Sequence, residues 1–244
     1  MSQKQNPVSL AGKVAIVTGG TRGIGKAIAE SLLEEGVRVA VCGAHQNTVD
    51  EALETLAPLG EVFGAVADVS KLEEVRHFMA AVQRRFNTAH ILVNNAGSGV
   101  FRSTADLEPE EWDRMLALNL SGVYYCCHEI LPIFRKNETG GDVINISSLA
   151  GRNPFAGGAG YNASKFGVVG FSEAMMLDHR QEDIRVSCVM PGSVDTAFGG
   201  SNKGAPWKVA PEDVAEVVLS LLKMARRTTI SRVEMRPSMP PGKQ

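Results

Sequence analysis

The sequence has few of the residues that mark a metalloprotein, a disulfide-rich secreted protein or a membrane protein. Its 244 residues include four cysteines and five histidines, and no CxxC, HxxxH or HExxH spacing occurs. We therefore expect the cysteines to be reduced, buried small side chains, and we expect no metal site. No apolar run approaches the roughly 20 residues that cross a bilayer, so we expect no membrane partner.

A strong charge of either sign is also missing. The formal net charge is −2 and no basic stripe is present, which gives no electrostatic argument for a nucleic-acid partner. The segment MSQKQNPVSLAGK has neither a hydrophobic signal core nor the Arg-rich pattern of a transit peptide. Apolar residues make up 44% and charged residues 21%, as in an ordinary globular enzyme. These features predict a cytoplasmic protein.

Short β-branched segments alternate with helix-like segments along the chain. The predicted strands are 13–18, 37–42, 61–67, 90–94, 142–147, 184–190 and 229–235. The predicted helices are 23–35, 46–57, 71–86, about 109–136, 161–180 and about 211–226. This alternation predicts an α/β fold, a Rossmann-type doubly wound parallel sheet of about seven strands between two helical layers. One such sheet accounts for a single domain over 1–244.

Small and polar residues follow the predicted strands. They form the segments TGGTRGIG (18–25), DVS (68–70), NNAG (94–97), SSLAG (147–151) and PGSVDT (191–196). In a doubly wound sheet the carboxyl ends of the strands share one edge, and ligands bind there at the point where the strand order reverses. The sequence therefore predicts a ligand site built from these five segments.

The first of these segments is a glycine turn between a strand and a helix. Gly19, Gly23 and Gly25 permit a tight turn and a close approach to a pyrophosphate, whose charge the helix N-terminus favours. Their spacing is GxxxGxG and not the familiar GxGxxG, and a purely structural glycine turn is the alternative interpretation. Asp68, after the third strand, either accepts a hydrogen bond from an adenine amino group or caps the next helix.

The segment YNASK places Tyr161 and Lys165 on one face of a helix, one turn apart. Taken alone, this spacing is typical of an amphipathic pair. Together with Ser148, Asn119, the glycine turn, NNAG and PGSVDT, it resembles the short-chain dehydrogenase/reductase family over about residues 10–235. Within that family the general likeness is to bacterial 3-oxoacyl-carrier-protein reductases.

The resemblance implies an oxidoreductase that interconverts a ketone and a secondary alcohol with NAD(P)(H). Tyr161 would be the general acid/base, and Lys165 would stabilise its phenolate by up to about 4 kcal/mol and hold the nicotinamide ribose. Ser148 would orient the substrate carbonyl. Asn119 would hold a water in the proton relay; a hydrogen-bonded buried Asn is the alternative interpretation.

The resemblance also implies a set of cofactor contacts, with Asn94 lying beside the cofactor. The set is Gly19, Thr21, Arg22, Gly23, Ile24, Gly25, Asp68, Val69, Asn95, Ala96, Gly97, Tyr161, Lys165, Pro191, Gly192, Val194 and Thr196. The second strand ends in VCGAH (41–45) without the acid that binds a ribose 2′-hydroxyl, and Arg22 can pair with a 2′-phosphate. This favours NADP(H), with NAD(H) as the alternative because Ala44 occupies the place of a frequent second Arg.

The remaining expectations concern the surface. Residues 197–208, AFGGSNKGAPWK, correspond to a substrate lid, whose Phe198 and Trp207 either cover an apolar substrate or pack on the core. Asp195 is expected to cap this loop, and residues 1–10 and 236–244 are expected to be a flexible N-terminus and a tail. Apolar residues on all sides of 166–177 and 110–134 favour a homo-oligomer, which the resemblance implies is a tetramer; full burial of these helices within one chain is the alternative.

Three other functions stay open. An NAD-dependent alcohol dehydrogenase of the same family would use the same residues. A sugar-nucleotide epimerase or dehydratase uses related chemistry, but such chains usually add a large C-terminal region. A nucleotide-sensing regulatory or scaffold protein would not need Ser148, Tyr161 and Lys165, so the presence of all three favours an enzyme.

Overall fold

Seven parallel strands form one sheet in the computed structural model, which describes residues 8–200 and 204–240. The strands are β1 (Val14–Thr18), β2 (Arg38–Gly43), β3 (Val62–Val66), β4 (Ile91–Asn94), β5 (Gly141–Ile146), β6 (Ile184–Pro191) and β7 (Arg232–Met235). Their order is β3-β2-β1-β4-β5-β6-β7, so the chain reverses direction across the sheet between β1 and β4. The predicted fold class is confirmed.

Parts of three predicted segments lie outside the described residues. These are 1–7 of the expected flexible N-terminus, 201–203 of the expected lid and 241–244 of the expected tail. Among the residues that are described, no helix has the length and apolar character needed to cross a membrane.

The helices lie near their predicted positions, with one difference. They are α1 (Gly23–Glu34), α2 (Gln46–Leu56), α3 (Leu72–Phe86), α4 (Pro109–Leu116), α5 (Gly122–Phe134), α6 (Ala159–His179) and α7 (Pro211–Leu222). The single helix predicted over 109–136 is interrupted by a π-helical turn, Ala117–Ser121, which joins α4 to α5. Such turns occur often at functional sites, and this one contains Asn119.

Apolar side chains are buried on both faces of the sheet. Helices α1, α2 and α7 cover one face, where Ile28 and Val218 are completely or almost completely buried. Helices α3, α5 and α6 cover the other, where Ile130 and Val168 are fully buried. This double cover explains why every residue of β1 is buried and why its sequence, VAIVT, does not alternate between apolar and polar residues.

A buried ion cluster lies at the opposite edge of the sheet from the predicted site. Asp142, at the start of β5, accepts from Arg185 Nε at 2.6 Å and from Arg226 Nη1 at 3.0 Å. Arg185 also donates to the backbone oxygens of Met224 and Leu222 at the end of α7. The cluster therefore fixes α7 to the sheet and takes no part in the site.

Candidate active site

The glycine turn is held against the end of β4 by Asn95. The Asn95 side-chain amide donates to the backbone oxygens of Thr18 and Gly19, both at 3.0 Å. Thr18 Oγ1 accepts in return from the backbone N–H groups of Asn95 and Ala96, at 3.0 and 3.1 Å. A Cβ on Gly25 would clash with the Gly19 carbonyl oxygen and with Asn95 Nδ2, so only glycine fits there. Hydrogen bonds therefore hold the glycine turn firmly at the point where the strand order reverses.

The N-terminus of α1 has the features of an anion site. Its N-cap residue, Arg22, makes no side-chain cap, and the first turn contains no acidic residue. The first N–H groups of α1 and the positive end of its dipole are therefore open to a phosphate. A Cβ on Gly23 would lie 3.3 Å from Thr196 Cγ2, so the loop after β6 faces this turn closely. These residues fit the pyrophosphate of a dinucleotide.

The rim at the end of β2 has a cation and no acid. Ala44, His45 and Arg22 are exposed, and no hydrogen bond or ion pair of the Arg22 side chain occurs within the described part of the chain. A Cβ on Gly43 would lie 2.9 Å from Thr21 Cγ2, which places the glycine turn directly on the end of this strand. The arrangement suits an additional phosphate better than a free ribose hydroxyl.

Asp68 closes the turn that precedes α3. Its Oδ1 accepts from Ser70 N at 3.0 Å and from Ser70 Oγ at 2.7 Å, while Lys71 lies 3.7 Å from Oδ2. These bonds hold the turn before α3 and do not cap the helix, whose N-cap residue is Lys71, so the alternative of a helix cap is not what the structure gives. A contact with adenine stays a prediction. The Val69 side chain is 3% exposed and packs in the core, where its backbone oxygen lies close to Gly122.

Ser148, Tyr161 and Lys165 come together between β5 and α6. The Ser148 side chain lies beside the Tyr161 hydroxyl, and its Oγ lies 3.5 Å from the Pro191 oxygen. Lys165 Nζ donates to the Ile146 oxygen at 3.0 Å and lies 5.7 Å from the centroid of the Tyr161 ring. Tyr161 and Lys165 are only 9% and 5% exposed. The predicted set is therefore a compact, nearly dry group.

Burial dominates the acid–base properties of this group. It lowers the pKa of Lys165 to about 8, which leaves most of the ammonium protonated at neutral pH. Burial also raises the pKa of Tyr161, and the hydrogen bond with Ser148 acts in the opposite direction. The expected lowering of the tyrosine pKa by the lysine charge is not what this structure gives. The Lys165 ammonium bonds to the Ile146 oxygen, and the phenol ring lies among apolar side chains.

Asn119 is completely buried, and its side chain is hydrogen-bonded. Its Oδ1 accepts from Ser98 N at 2.9 Å, and its Nδ2 donates to Ser98 O at 2.8 Å and to Ser164 Oγ at 3.1 Å. It thereby holds the loop after β4 against α6. A Cβ on Gly97 would lie 3.2 Å from Asn119 Oδ1 and 3.8 Å from Lys165 Nζ, so these three residues meet. The water-binding role stays a prediction.

Asn94 lies in the core and not at the site. Its Nδ2 donates to Asn145 Oδ1 at 2.8 Å and to Cys127 Sγ at 3.2 Å, and Asn145 Nδ2 donates to Ser172 Oγ at 2.9 Å. Asn94 is the last residue of β4, whereas Asn95 lies in the loop after it and bonds to the glycine turn. The Asn94 side chain thus bonds within the core, and the expected position of this residue beside the cofactor stays a prediction.

The predicted segments other than DVS thus form a continuous line of contacts. It runs through Gly19, Gly23, Gly25, Asn95, Ala96, Gly97, Asn119, Ser148, Tyr161, Lys165, Pro191 and Thr196. Gly192 follows β6 and bonds to the Met235 oxygen. Ile24 and Val194 pack on the core beside it.

Comparison with known proteins decides the family. The sequence profile of the short chain dehydrogenases matches residues 13–205. The chain belongs to the short-chain dehydrogenase family. It is therefore an oxidoreductase that acts on the CH–OH and C=O groups of its substrates.

The dehydrogenase is similar to proteins that are named for different substrates. A Streptomyces coelicolor protein provisionally named a ketoacyl reductase is 35% identical over 91% of this chain and 87% of its own length. A 3α-hydroxysteroid dehydrogenase from Mediterraneibacter gnavus is 37% identical over 77% of this chain and 76% of its own. An alcohol dehydrogenase structure from Thermococcus sibiricus, complexed with 5-hydroxy-NADP, is 31% identical with a TM-score of 0.88, over 95% and 99% of the two chains.

Two phenylalanines of the aromatic group around the dehydrogenase's Tyr161 were not predicted from the sequence. The Phe101 ring meets Tyr161 edge-on with centroids 5.6 Å apart, and the Phe155 ring lies 5.7 Å from Phe101. Phe198, expected in the lid, lies 5.7 Å from Tyr161. Phe101 and Phe155 follow strands in irregular loops, where no periodic pattern reveals a shared position.

The expected lid is anchored by Asp195. Its carboxylate accepts from Gly204 N at 2.9 and 3.0 Å and lies 3.9 Å from Lys208 Nζ, so the predicted loop cap is confirmed. Trp207 is partly buried. Within the described residues, no group of three or more His, Cys, Asp or Glu side chains is placed to hold a metal ion.

Proposed function

We propose that this dehydrogenase is an NADP(H)-dependent carbonyl reductase, which reduces a ketone to a secondary alcohol or catalyses the reverse. The observation that carries the proposal is the meeting of Tyr161, Ser148 and Lys165 beside the glycine turn. A proton donor, a second hydroxyl and a cation at one place suit the reduction of a carbonyl group. A protein that only senses nucleotides would not need them.

Each side chain has one task in this reaction. When bound, the nicotinamide supplies or accepts the hydride. The Tyr161 hydroxyl gives its proton to the carbonyl oxygen, and Ser148 donates a hydrogen bond to the same oxygen. Lys165, whose pKa is about 8, is mostly protonated at neutral pH and supplies a positive charge 5.7 Å from the centroid of the Tyr161 ring. The nearly complete burial of Tyr161 and Lys165 strengthens these interactions because water screens them little.

Other residues would hold the cofactor. The first N–H groups of α1 would bind the pyrophosphate, and Thr196, which faces Gly23, would bind the nicotinamide end together with Val194. Lys165 would bind the ribose. Asn95 does not need to touch the cofactor, because its amide already holds the turn that does.

NADP(H) is favoured over NAD(H) by the rim at the end of β2. Arg22 is exposed there, and the strand ends without a carboxylate that would repel a 2′-phosphate. The archaeal alcohol dehydrogenase of similar structure was solved with an NADP derivative. NAD(H) is the alternative.

The first experiment titrates the protein with NADPH and with NADH and detects binding by nicotinamide fluorescence. The second measures reduction rates on a panel of ketones. We expect tighter NADPH binding and NADPH-dependent reduction. Tyr161→Phe should lower kcat by about 10²–10⁴ while NADPH still binds. Tyr125→Phe, on α5, is the matched control.

Two results would contradict the proposal. Turnover by Tyr161→Phe at the parental rate would remove the assigned acid/base. Nucleotide binding without reduction of any ketone would favour a sensor or scaffold protein. A stronger affinity for NADH would support the NAD-dependent alternative and leave the catalytic assignment intact.

We also propose a homo-oligomer, in agreement with the predicted tetramer. Helices α5 and α6 leave Tyr124, Phe166 and Leu177 exposed by 48%, 46% and 55%, which argues for cover by another copy. Light scattering after gel filtration measures the mass directly, and a monomer at micromolar concentration would contradict this proposal. A cytoplasmic location stays a prediction from the sequence.

A further inference from the structure

Three phenylalanines form an exposed apolar rim beside the catalytic tyrosine. Phe101, Phe155 and Phe198 are exposed by 44%, 45% and 37%, although Tyr161 beneath them is 9% exposed. Their rings form one connected group with Tyr161, at centroid distances of 5.6 to 5.7 Å. A group of large apolar side chains left open to water at a catalytic residue indicates a surface that binds an apolar ligand.

Glycines fix the positions of these rings. A Cβ on Gly99 would lie 2.8 Å from Phe101 Cζ and 3.0 Å from Phe198 Cε1, so both rings rest directly on the backbone there. A Cβ on Gly158 would lie 2.6 Å from Phe155 Cε2. A Cβ at either position would require these rings to shift, so the rings pack directly against the backbone of Gly99 and Gly158.

The rim is also tied to the catalytic helix. Asn162, the residue after Tyr161, donates from its Nδ2 to the Phe155 backbone oxygen at 3.0 Å. Asn162 is 8% exposed, so this bond is shielded from water. The loop that carries Phe155 is therefore bonded to the first turn of α6, next to Tyr161.

The side chains around the rim are mostly apolar, and the Lys165 ammonium lies 5.7 Å from the Tyr161 ring centroid, where it donates to the Ile146 oxygen. Below Tyr161, Met115 and Ala150 are buried and pack with Val100. Arg102, next to Phe101, is paired with Glu111 at 3.2 Å. Among the described residues, the three rings of the rim offer a carboxylate on the substrate no partner, and it would lose its hydration there, which is unfavourable.

We infer that the substrate is an uncharged ketone with a flat apolar ring next to its carbonyl group. The inference rests on the proposed function and specifies its substrate class. Aromatic rings pack edge-on or offset at centroid distances of about 4.5–7 Å, and the rim offers three rings at such spacing to a fourth. The reaction adds a hydride from NADPH to the carbonyl carbon and the Tyr161 proton to the oxygen, so the ketone is reduced as NADPH is oxidised.

Matched substrates test the inference through kcat/KM with NADPH. The pair 2,3-butanedione and 1-phenyl-1,2-propanedione differs by one methyl replaced with phenyl. The pair benzoylformate and ethyl benzoylformate differs by one charge. We expect the phenyl diketone and the ethyl ester to be preferred at least about tenfold, or about 1.4 kcal/mol each. The acetoacetyl thioester of N-acetylcysteamine represents a carrier-bound acyl chain and should be a poorer substrate than the phenyl diketone.

Variants of the rim residues test which rings cause the preference for the phenyl diketone over butanedione. Phe101→Ala and Phe155→Ala should each reduce the phenyl-to-methyl ratio to about threefold or less. Gly99→Ala, which displaces two rings, should reduce it as well. Leu59→Ala removes an equally exposed apolar side chain that follows α2 and should leave the ratio unchanged.

The possible failures are distinguishable. Preference for butanedione, for benzoylformate or for the thioester would overturn the inference and leave the proposed function standing. An unchanged phenyl-to-methyl ratio in both Phe101→Ala and Phe155→Ala would do the same. If NADPH-dependent reduction of every ketone fails, the proposed function itself is overturned, and the inference with it.

Discussion

Replacing Lys165 with methionine should abolish activity and make the protein more stable. Lys165 is 5% exposed, and burial lowers its pKa from 10.5 to about 8. Each pKa unit corresponds to 1.36 kcal/mol, so burying the charge costs about 3 kcal/mol in folding free energy at neutral pH. Methionine fills a similar volume without that cost.

The gain is smaller than the full cost because one hydrogen bond is lost. Lys165 Nζ donates to the Ile146 oxygen at 3.0 Å, and leaving that oxygen without this donor costs about 1–2 kcal/mol. We therefore expect Lys165→Met to raise the free energy of unfolding by about 1–2 kcal/mol at pH 7. For a chain of this size, this corresponds to a rise in Tm of roughly 2–8 °C.

The pH dependence of the stability difference between Lys165→Met and the parent is a second, independent test. Below about pH 8 the ammonium is charged in both the folded and the unfolded chain, so the cost is fully present. Between pH 8 and 10.5 the folded chain loses the proton first, and the stability of the parent rises relative to the variant. The advantage of Lys165→Met should shrink by about 2 kcal/mol between pH 7 and 9.5.

Chemical denaturation of both proteins without nucleotide, at pH 7 and 9.5, measures these differences. Lys26→Met is the control, because Lys26 forms an ion pair with Glu30 at 2.9 Å with both side chains about one third exposed. Its stability should change by less than about 1 kcal/mol. A Lys165→Met protein that is less stable than the parent at pH 7, or a difference that is the same at both pH values, would refute the reasoning.

Three further variants test other parts of the structure. Gly25→Ala places a Cβ against Gly19 and Asn95, and we expect fluorescence titration to show at least about tenfold weaker NADPH binding; unchanged affinity would contradict the tight turn. Asp142→Ala leaves two arginines without their carboxylate, so chemical denaturation should show a loss of about 3–5 kcal/mol, and a loss below about 1 kcal/mol would show that the ion cluster is dispensable. Arg22→Ala should raise the Kd of NADPH about tenfold and that of NADH much less, and equal effects would argue against a 2′-phosphate contact.

The sequence predicted the fold because its strands are buried on both faces. A continuous apolar segment such as VAIVT, followed by a glycine turn and a helical pattern, has few other interpretations. The candidate catalytic residues could also be predicted from the sequence. The spacing of Ser148, Tyr161 and Lys165 along the chain is part of the pattern that resembles the family. The family is confirmed, and the roles of these residues stay predictions.

Features that depend on three-dimensional packing could not be predicted. Asn94 and Asn95 are the same residue type, and only the strand register determines which of them faces the glycine turn. Phe101 and Phe155 lie more than fifty positions apart in loops, so nothing in the sequence connects their rings. The raised pKa of Tyr161 depends on burial by side chains from several elements.

The position of β1 in the middle of the sheet has a consequence for protein synthesis. The glycine turn after β1 receives its support from Asn95, whose amide bonds to Gly19 across 76 positions of the chain. A ribosome adds about 5–20 residues per second, so these bonds cannot form until roughly 4–15 s after the turn itself has been made. Thr196, which faces the same turn, is made later still. A nascent chain therefore has no complete nucleotide site until most of the sheet has left the ribosome, and the cofactor can stabilise only a nearly finished fold.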